Sequence, residues 1–183
     1  MNRDVAVQDK EHLALLRANV ESFMKRVSRQ YVEGPALLLD VAPQNHKGAR
    51  PFFGAEVKIE TLDIDSSSRA THIADLCNCA ATLGIDRYNF IVCTEVLEHT
   101  RQPFDAVNNM YHVLKRGGLA FVTTPFNFRI HGPLPDCWRF TEHGLRELFK
   151  HFEIVELEAL ECESRFLMPI HYTLVARKPI FIP

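Results

Sequence analysis

Four acids in this chain each close a short strand-like segment: Asp40 after Ala36–Leu39, Asp63 after Val57–Leu62, Asp75 after His72–Ala74, and Glu95 after Phe90–Cys93. A carboxylate at the end of a buried segment is costly unless donors reach it. In the simplest alternative each acid caps a following helix. That serves for any one of them and less well for all four, which together describe a rim that accepts hydrogens from a donor-rich ligand. Further along, His131 and Asp136 lie in the segment Asn127–Arg139 with Arg129, Trp138 and Arg139. A loop histidine titrates near neutral pH and can take a proton from a hydroxyl, which makes His131 the first candidate base; its plainer role is a hydrogen bond to backbone. Asp136 can orient that histidine or bind a sugar hydroxyl. Trp138 can stack on a sugar ring or anchor the loop. Arg129 and Arg139 can bind an anionic group or pair with an internal acid. Glu98 and His99, just after Glu95, either reach a substrate or serve the loop's own hydrogen bonds.

The elements that must position these residues follow from periodicity. Leu13, Leu16, Val20, Phe23, Val27 and Tyr31 recur at gaps of three and four, so a helix with one apolar stripe runs from about Gln8 to Tyr31. It either covers the site or packs on a second subunit. The segments at Ala36–Val41, Val57–Leu62, His72–Ala74, Phe90–Cys93 and Leu119–Thr124 predict five strands, the first and fourth of them buried on both faces. A helix is expected to open at Pro103, carry Lys115 and Arg116 in its last turn, and stop at Gly117–Gly118. Thr141 reads as the N-cap of a helix to about Lys150, with Phe140 and Leu145 as a hydrophobic staple. Phe152–Leu160 alternates apolar and acidic residues, and His171–Arg177 closes the chain as a last strand. Strands alternating with helices predict a Rossmann-like α/β fold, a seven-stranded, mostly parallel sheet with helices on both faces. The two final strands, with no helix between them, predict an antiparallel hairpin. One domain, 1–183, is expected: an N-terminal helix over 1–33 and a core over 34–178.

In such sheets ligands sit outside the carboxyl ends of the strands. A ligand carrying ribose hydroxyls, an adenine amine and an ammonium group suits the four acids, with Asp63 placed to accept from the ribose and Asp75 from the adenine amine.

Two motifs carry a resemblance. Cys93-Thr-Glu-Val-Leu-Glu-His99 and, further on, Leu114-Lys-Arg-Gly-Gly-Leu119 resemble the fourth-strand and pre-fifth-strand motifs of class I methyltransferases that use S-adenosylmethionine (type 11-like). The resemblance runs from about Ala36 to Lys178. Phe128 to Thr141 resembles a segment of a subgroup associated with sugar and polysaccharide genes. The resemblance implies that S-adenosylmethionine lies along Asp40, Ala42 and Gln44, then Asp63 and Ile64, then Asp75 and Leu76, then Cys93, Thr94 and Glu95. It implies an acceptor beyond the fourth and fifth strands, near His131, Asp136 and His99, and contacts from Arg129, Trp138 and Arg139. The implied activity is methyl transfer to an oxygen or nitrogen of a small acceptor that carries a sugar. The first loop, Asp40-Val-Ala-Pro-Gln-Asn-His-Lys-Gly48, departs from the family's glycine-rich pattern, and Pro43 removes an N–H donor. Either the loop is degenerate and the chain is a non-catalytic binding module, or it is a variant in which Gln44 or Asn45 supplies side-chain hydrogen bonds. The intact later motifs favour the variant. A nucleotide-sugar or dinucleotide enzyme is a further alternative, disfavoured because a pyrophosphate needs close backbone approach at glycines.

Composition narrows the classes. The chain has 183 residues, 46% hydrophobic and 24% charged, enough for one core without disulfide staples. A net charge of -2 with scattered lysines and arginines gives no footprint for nucleic acid. No apolar run spans a bilayer and the N-terminus is polar, so neither membrane insertion nor a signal peptide is expected. Five cysteines, an odd number, suit reduced thiols in a cytoplasm. Cys77 and Cys79 are too close for a zinc knuckle, and no metal site is expected. A small-molecule substrate and a monomer or homodimer complete the reading.

Overall fold

A computed structural model describes residues 5–43, 47–163 and 165–181. Its helices are α1 (Val7–Tyr31), α2 (Ala80–Leu83), α3 (Pro103–Val113) and α4 (Glu142–Leu148). The strands are β1 (Ala36–Val41), β2 (Val57–Asp63), β3 (His72–Ile73), β4 (Tyr88–Thr94), β5 (Leu114–Pro125), β6 (Glu153–Leu160) and β7 (His171–Arg177). They form one seven-stranded sheet in the order β3-β2-β1-β4-β5-β7-β6. The pairs from β3 to β5 are parallel, and β7 runs antiparallel to both β5 and β6. The expected fold class, with its single antiparallel member, is what the chain adopts.

Two apolar layers explain the arrangement. On one face Phe23, Met24 and Val27 of α1 pack with Ala49 and Phe53 onto Leu38, Val92, Phe121 and Val175. On the other, α3 and α4 supply Val107, Met110, Leu145 and Leu148 against Leu39, Ile91, Val122 and Leu174. Neighbouring residues of one strand thus serve opposite faces, which is why the central strands read as unbroken apolar runs. Thr141 caps α4 as expected, accepting from Gly144 N at 3.1 Å.

Three expectations are corrected. Among the described residues, the stretches joining β1 to β2 and β2 to β3 hold turns rather than helices. The four-residue α2 was not anticipated; it is too short to show a period. The helix from Pro103 stops at Val113, before Lys115 and Arg116. Leu114 already pairs with Tyr88 across β4, and its carbonyl accepts from Lys178 Nζ at 2.8 Å. Gly117, at φ +77°, donates its N–H to Lys178 O at 2.8 Å. The sheet and the end of β7 thus claim the backbone groups that another helical turn would use.

Candidate active site

Two cavities adjoin at the carboxyl ends of β1, β2 and β4. The first, about 410 Å³, is lined by Asp63, Ile64, Asp75 and Leu76. The second, about 590 Å³, is lined by Asp40, Thr94, His131 and, from α1, Leu13, Leu16, Arg17, Val20 and Met24. Val41, Ala42, Glu95, His99 and Pro133 border both. Each is of a size that suits a small-molecule ligand. Helix α1 therefore roofs the second cavity.

The rim acids differ in their surroundings. Asp40 is 4% exposed, and its Oδ2 accepts from Ala49 N at 2.7 Å. Burial pushes its carboxyl up to about 6, against the pull of that hydrogen bond. Asp63 accepts from Asp65 N at 2.9 Å through Oδ1, and among the described residues its Oδ2 accepts nothing from the chain. Asp75 caps the 3-10 turn at Leu76 by accepting from Cys77 N at 2.9 Å, so the capping role is real for this acid while it also lines the first cavity. Glu95 accepts from Thr123 Oγ1 at 2.8 Å and His171 Nε2 at 2.7 Å, with its own backbone at φ +55°.

The first loop solves its glycine problem in an unexpected way. Ala42 stands at φ +50°, a conformation that favours glycine. The glycine that matters comes later. A Cβ on Gly48, at φ +55°, would lie 2.2 Å from Asp40 Oδ2 and 2.7 Å from Pro43 Cβ. Gly48 is thus the point of close approach that a glycine-rich turn would otherwise supply. Gln44 and Asn45 lie outside the described residues.

The loop after β5 sorts the remaining candidates. His99 Nδ1 is 2.9 Å from Pro135 O, and His131 Nδ1 is 3.2 Å from Asp136 Oδ2 and 3.4 Å from Arg129 O. Carbonyl and carboxylate oxygens only accept, so both Nδ1 atoms carry hydrogen, and in the neutral rings both Nε2 atoms are left free to accept. Asp136 is gripped by Arg139, with Nη1 at 2.5 Å and Nη2 at 2.7 Å, and by His131 N at 2.9 Å. The Arg139 guanidinium holds its carboxyl at about 2. Asp136 therefore orients His131 and is not free for a sugar hydroxyl, and Arg139 takes the internal-acid role. Arg129 faces Asp9 of α1 at 3.6 Å. Trp138 donates its indole N–H to Thr100 O at 2.8 Å and stacks on Phe140 at 6.2 Å. It is an anchor. Arg129, Trp138 and Arg139 line neither cavity. Cys93 has no exposed surface, sits in the core, and likewise lines neither.

Sequence reasoning left Glu98 as loop structure and missed His171. Glu98 is 0% exposed, and its two carboxylate oxygens have no hydrogen-bond partner among the described residues. Burial, with Glu95 nearby, drives its carboxyl well above the usual range. No single-residue signal marks His171; its role exists only because β7 inserts beside β5.

Comparison with known proteins follows from this geometry. The fold matches that of an S-adenosylmethionine-dependent methyltransferase from Methanosarcina mazei (TM-score 0.64, 15% identity, 84% of this chain and 97% of that one). It also matches the Burkholderia thailandensis 1,6-didemethyltoxoflavin N1-methyltransferase, solved with 1,6-didemethyltoxoflavin and S-adenosylhomocysteine (TM-score 0.64, 15% identity, 98% and 93%). A third match is the 4+2-cyclase SpnF (TM-score 0.70, 16% identity, 90% and 82%). Identities this low establish the fold alone. A search of curated proteins found no match. The family model described as a methyltransferase domain matches residues 15–161, most of the chain. No helix among the described residues is long and apolar enough to cross a membrane. With the matched span covering the greater part of α1, the rim and the loop after β5, the chain belongs to the methyltransferase-domain family and is an S-adenosylmethionine-dependent methyltransferase of class I.

Proposed function

We propose that this chain moves a methyl group from S-adenosylmethionine to an oxygen or nitrogen of a small, sugar-containing acceptor, with the cofactor in the first cavity and the acceptor in the second. The observation that carries this reading is the meeting of the two cavities at Val41, Ala42, Glu95, His99 and Pro133. Donor and acceptor placed on either side of that border are aligned by the protein, and alignment supplies much of the rate of a bimolecular displacement. The residues present fit the cofactor. Asp63 has a carboxylate oxygen to offer to ribose hydroxyls, and Asp75 and Leu76 bound the far end. Glu95, on the border of the two cavities, and Asp40, just inside the second, stand where the positively charged amino-acid moiety is favoured as the cofactor reaches across that border. Bound there, S-adenosylmethionine supplies an electrophilic methyl group.

On the acceptor side the bare Nε2 atoms of His99 and His131 can receive a proton from a hydroxyl. The apolar side chains of Leu16, Val20 and Met24 roof the cavity and exclude water. The sheet order, with β7 between β5 and β6, differs from the 3-2-1-4-5-6 order of dinucleotide enzymes and counts against that alternative. The kinship in fold with a 4+2-cyclase makes turnover the decisive test. Calorimetric titration with S-adenosylmethionine and with NAD, followed by a sugar and metabolite panel read out as S-adenosylhomocysteine, is expected to give binding of the first alone and turnover on a hydroxylated or aminated acceptor. Binding without turnover across the panel would favour a non-catalytic module.

A further inference from the structure

The buried carboxylate of Glu98 calls for a partner that the chain itself does not provide. Its Oε1 lies 3.7 Å from His99 Nε2 and 3.7 Å from His131 Nε2. Those separations are too long for hydrogen bonds, and one ligand atom from each residue lies within 4.8 Å of the other two. A fully buried carboxylate with both oxygens unpaired is a costly feature to keep. From this convergence we infer that Glu98, His99 and His131 form a binding site for one divalent transition-metal ion of the zinc, iron or manganese kind.

The donor set fits such an ion. Two neutral imidazoles and one carboxylate are a common catalytic set for zinc and for other first-row ions, and three protein ligands leave a position open. Ligand atoms about 2.0–2.2 Å from a common ion stand roughly 3–3.6 Å apart. Small side-chain rotations bring the present spacing into that range. The surroundings of the two histidines are those that metal-binding histidines need. His99 spends its Nδ1–H on Pro135 O, and His131 spends its own on Arg129 O, with the Asp136 carboxylate, fixed by Arg139, 3.2 Å away. Such outer partners lock the tautomer and aim the other nitrogen inward. The ring centroids of His99 and His131 are 4.9 Å apart at 72°, so the two rings approach the carboxylate from different directions. Glu98 itself is fixed, because its carbonyl accepts from Cys137 N at 2.7 Å. The binding of an ion is independent of the methyl-transfer reading. Its role rests on that reading: His99 borders both cavities and His131 lines the second, so the open position faces the acceptor. An acceptor hydroxyl bound there would be acidified by the ion and would give its proton to solvent water; with the ion in place the imidazoles are ligands, and the proton-accepting role of their Nε2 atoms belongs to the metal-free protein.

The test uses the full chain, stripped with a chelator and dialysed, then titrated calorimetrically with Zn²⁺, Mn²⁺ and Mg²⁺ and, for its visible spectrum, with Co²⁺. Zn²⁺ or Mn²⁺ is expected to bind one per chain, more tightly than Mg²⁺, to raise the melting temperature, and to give a Co²⁺ spectrum with nitrogen-ligand character. Glu98→Gln and His131→Ala should each weaken the affinity at least tenfold. Glu98→Gln keeps the size of a side chain whose charged form burial already disfavours and should fold about as stably as the parent, which a melt verifies; His99→Ala stands in should either variant fail to fold. No ion bound by the folded parent, or affinity unchanged in the folded variants, overturns the site. Titration of the stripped protein with S-adenosylmethionine, run in parallel, is expected to show unchanged cofactor affinity. Loss of metal binding with cofactor binding retained sinks the metal site alone, whereas loss of cofactor binding sinks the methyltransferase reading of the cavities.

Discussion

Asp40→Asn isolates the cost of carrying a charge at the root of the first loop. Folded Asp40 keeps its proton to about pH 6, whereas the ordinary carboxyl loses it at 3.8. Its folded form is therefore favoured by protonation. That contribution is fully present below about pH 4 and is lost as the pH rises through 6. At neutral pH the ionised group costs roughly 3 kcal/mol against folding, taking about 1.4 kcal/mol for each tenfold change in proton affinity. About half of that, roughly 1.4 kcal/mol, develops between pH 5 and 7.5. Asparagine keeps an acceptor for the Ala49 N–H and cannot ionise. Any constant penalty from its unpaired amide does not vary with pH, so only the slope bears on the burial argument. In a chain of 183 residues, 1 kcal/mol moves the melting temperature by about 2–4 °C. Melts of the cofactor-free parent and variant from about pH 5 to 7.5 should show the variant gaining about 3–6 °C on the parent as the pH rises. A gap that stays flat, or one that closes, refutes the reasoning and means that solvent or a cation reaches the carboxylate in the folded protein.

Three other substitutions probe the same rim. Asp63→Ala should weaken S-adenosylmethionine by roughly 1.5–3 kcal/mol, the usual worth of a hydrogen bond to a charged group, as read by calorimetry; unchanged affinity removes Asp63 from the site. Gly48→Ala forces a left-handed Cβ into Asp40 and Pro43, and should cost about 3 kcal/mol in a thermal melt from strain and overpacking together. Ala42→Gly relieves about 1–2 kcal/mol of left-handed strain but loosens the unfolded chain by about 0.4–1 kcal/mol. A net stabilisation between about 0 and 1.6 kcal/mol by denaturant titration is expected, and a destabilisation would show that the Ala42 methyl packs favourably.

The central strands were legible because they are buried on both faces and therefore spelled as apolar runs, from Leu37-Leu38-Leu39 to Phe121-Val122, and β6 because its half-exposed face makes apolar and acidic residues alternate. The strand-end acids were legible for the complementary reason that charge interrupts such runs. Less could be read where the decisive contact is long-range. Lys115 and Arg116 look like the end of a helix by local propensity, yet Lys178, far along the chain, takes up the backbone groups there. Arg139 and Trp138 have the chemistry of ligand-binding residues, and only the fold shows that Asp136 and Thr100 O already hold them. Glu98 is the reverse case: its sequence neighbours suggest a plain loop acid, and burial without a partner is visible only in three dimensions.

Helix α1 is part of the site as well as its roof. Asn19 donates to His171 Nδ1 at 2.8 Å, so the histidine's other nitrogen carries the hydrogen that it gives to Glu95. Glu95 is thereby held from two sides, by His171 and by Thr123, while its backbone occupies a left-handed conformation that costs about 1–2 kcal/mol in isolation. His12 reaches Asn127 O at 3.2 Å, and Asp9 faces Arg129, so the same helix also ties down the start of the loop that carries His131. The strained acid at the cofactor border and the loop at the acceptor border thus share one support. Strain of this kind persists only where the surroundings over-determine it. The helix that supplies those surroundings is the element through which the two cavities are held at a fixed separation.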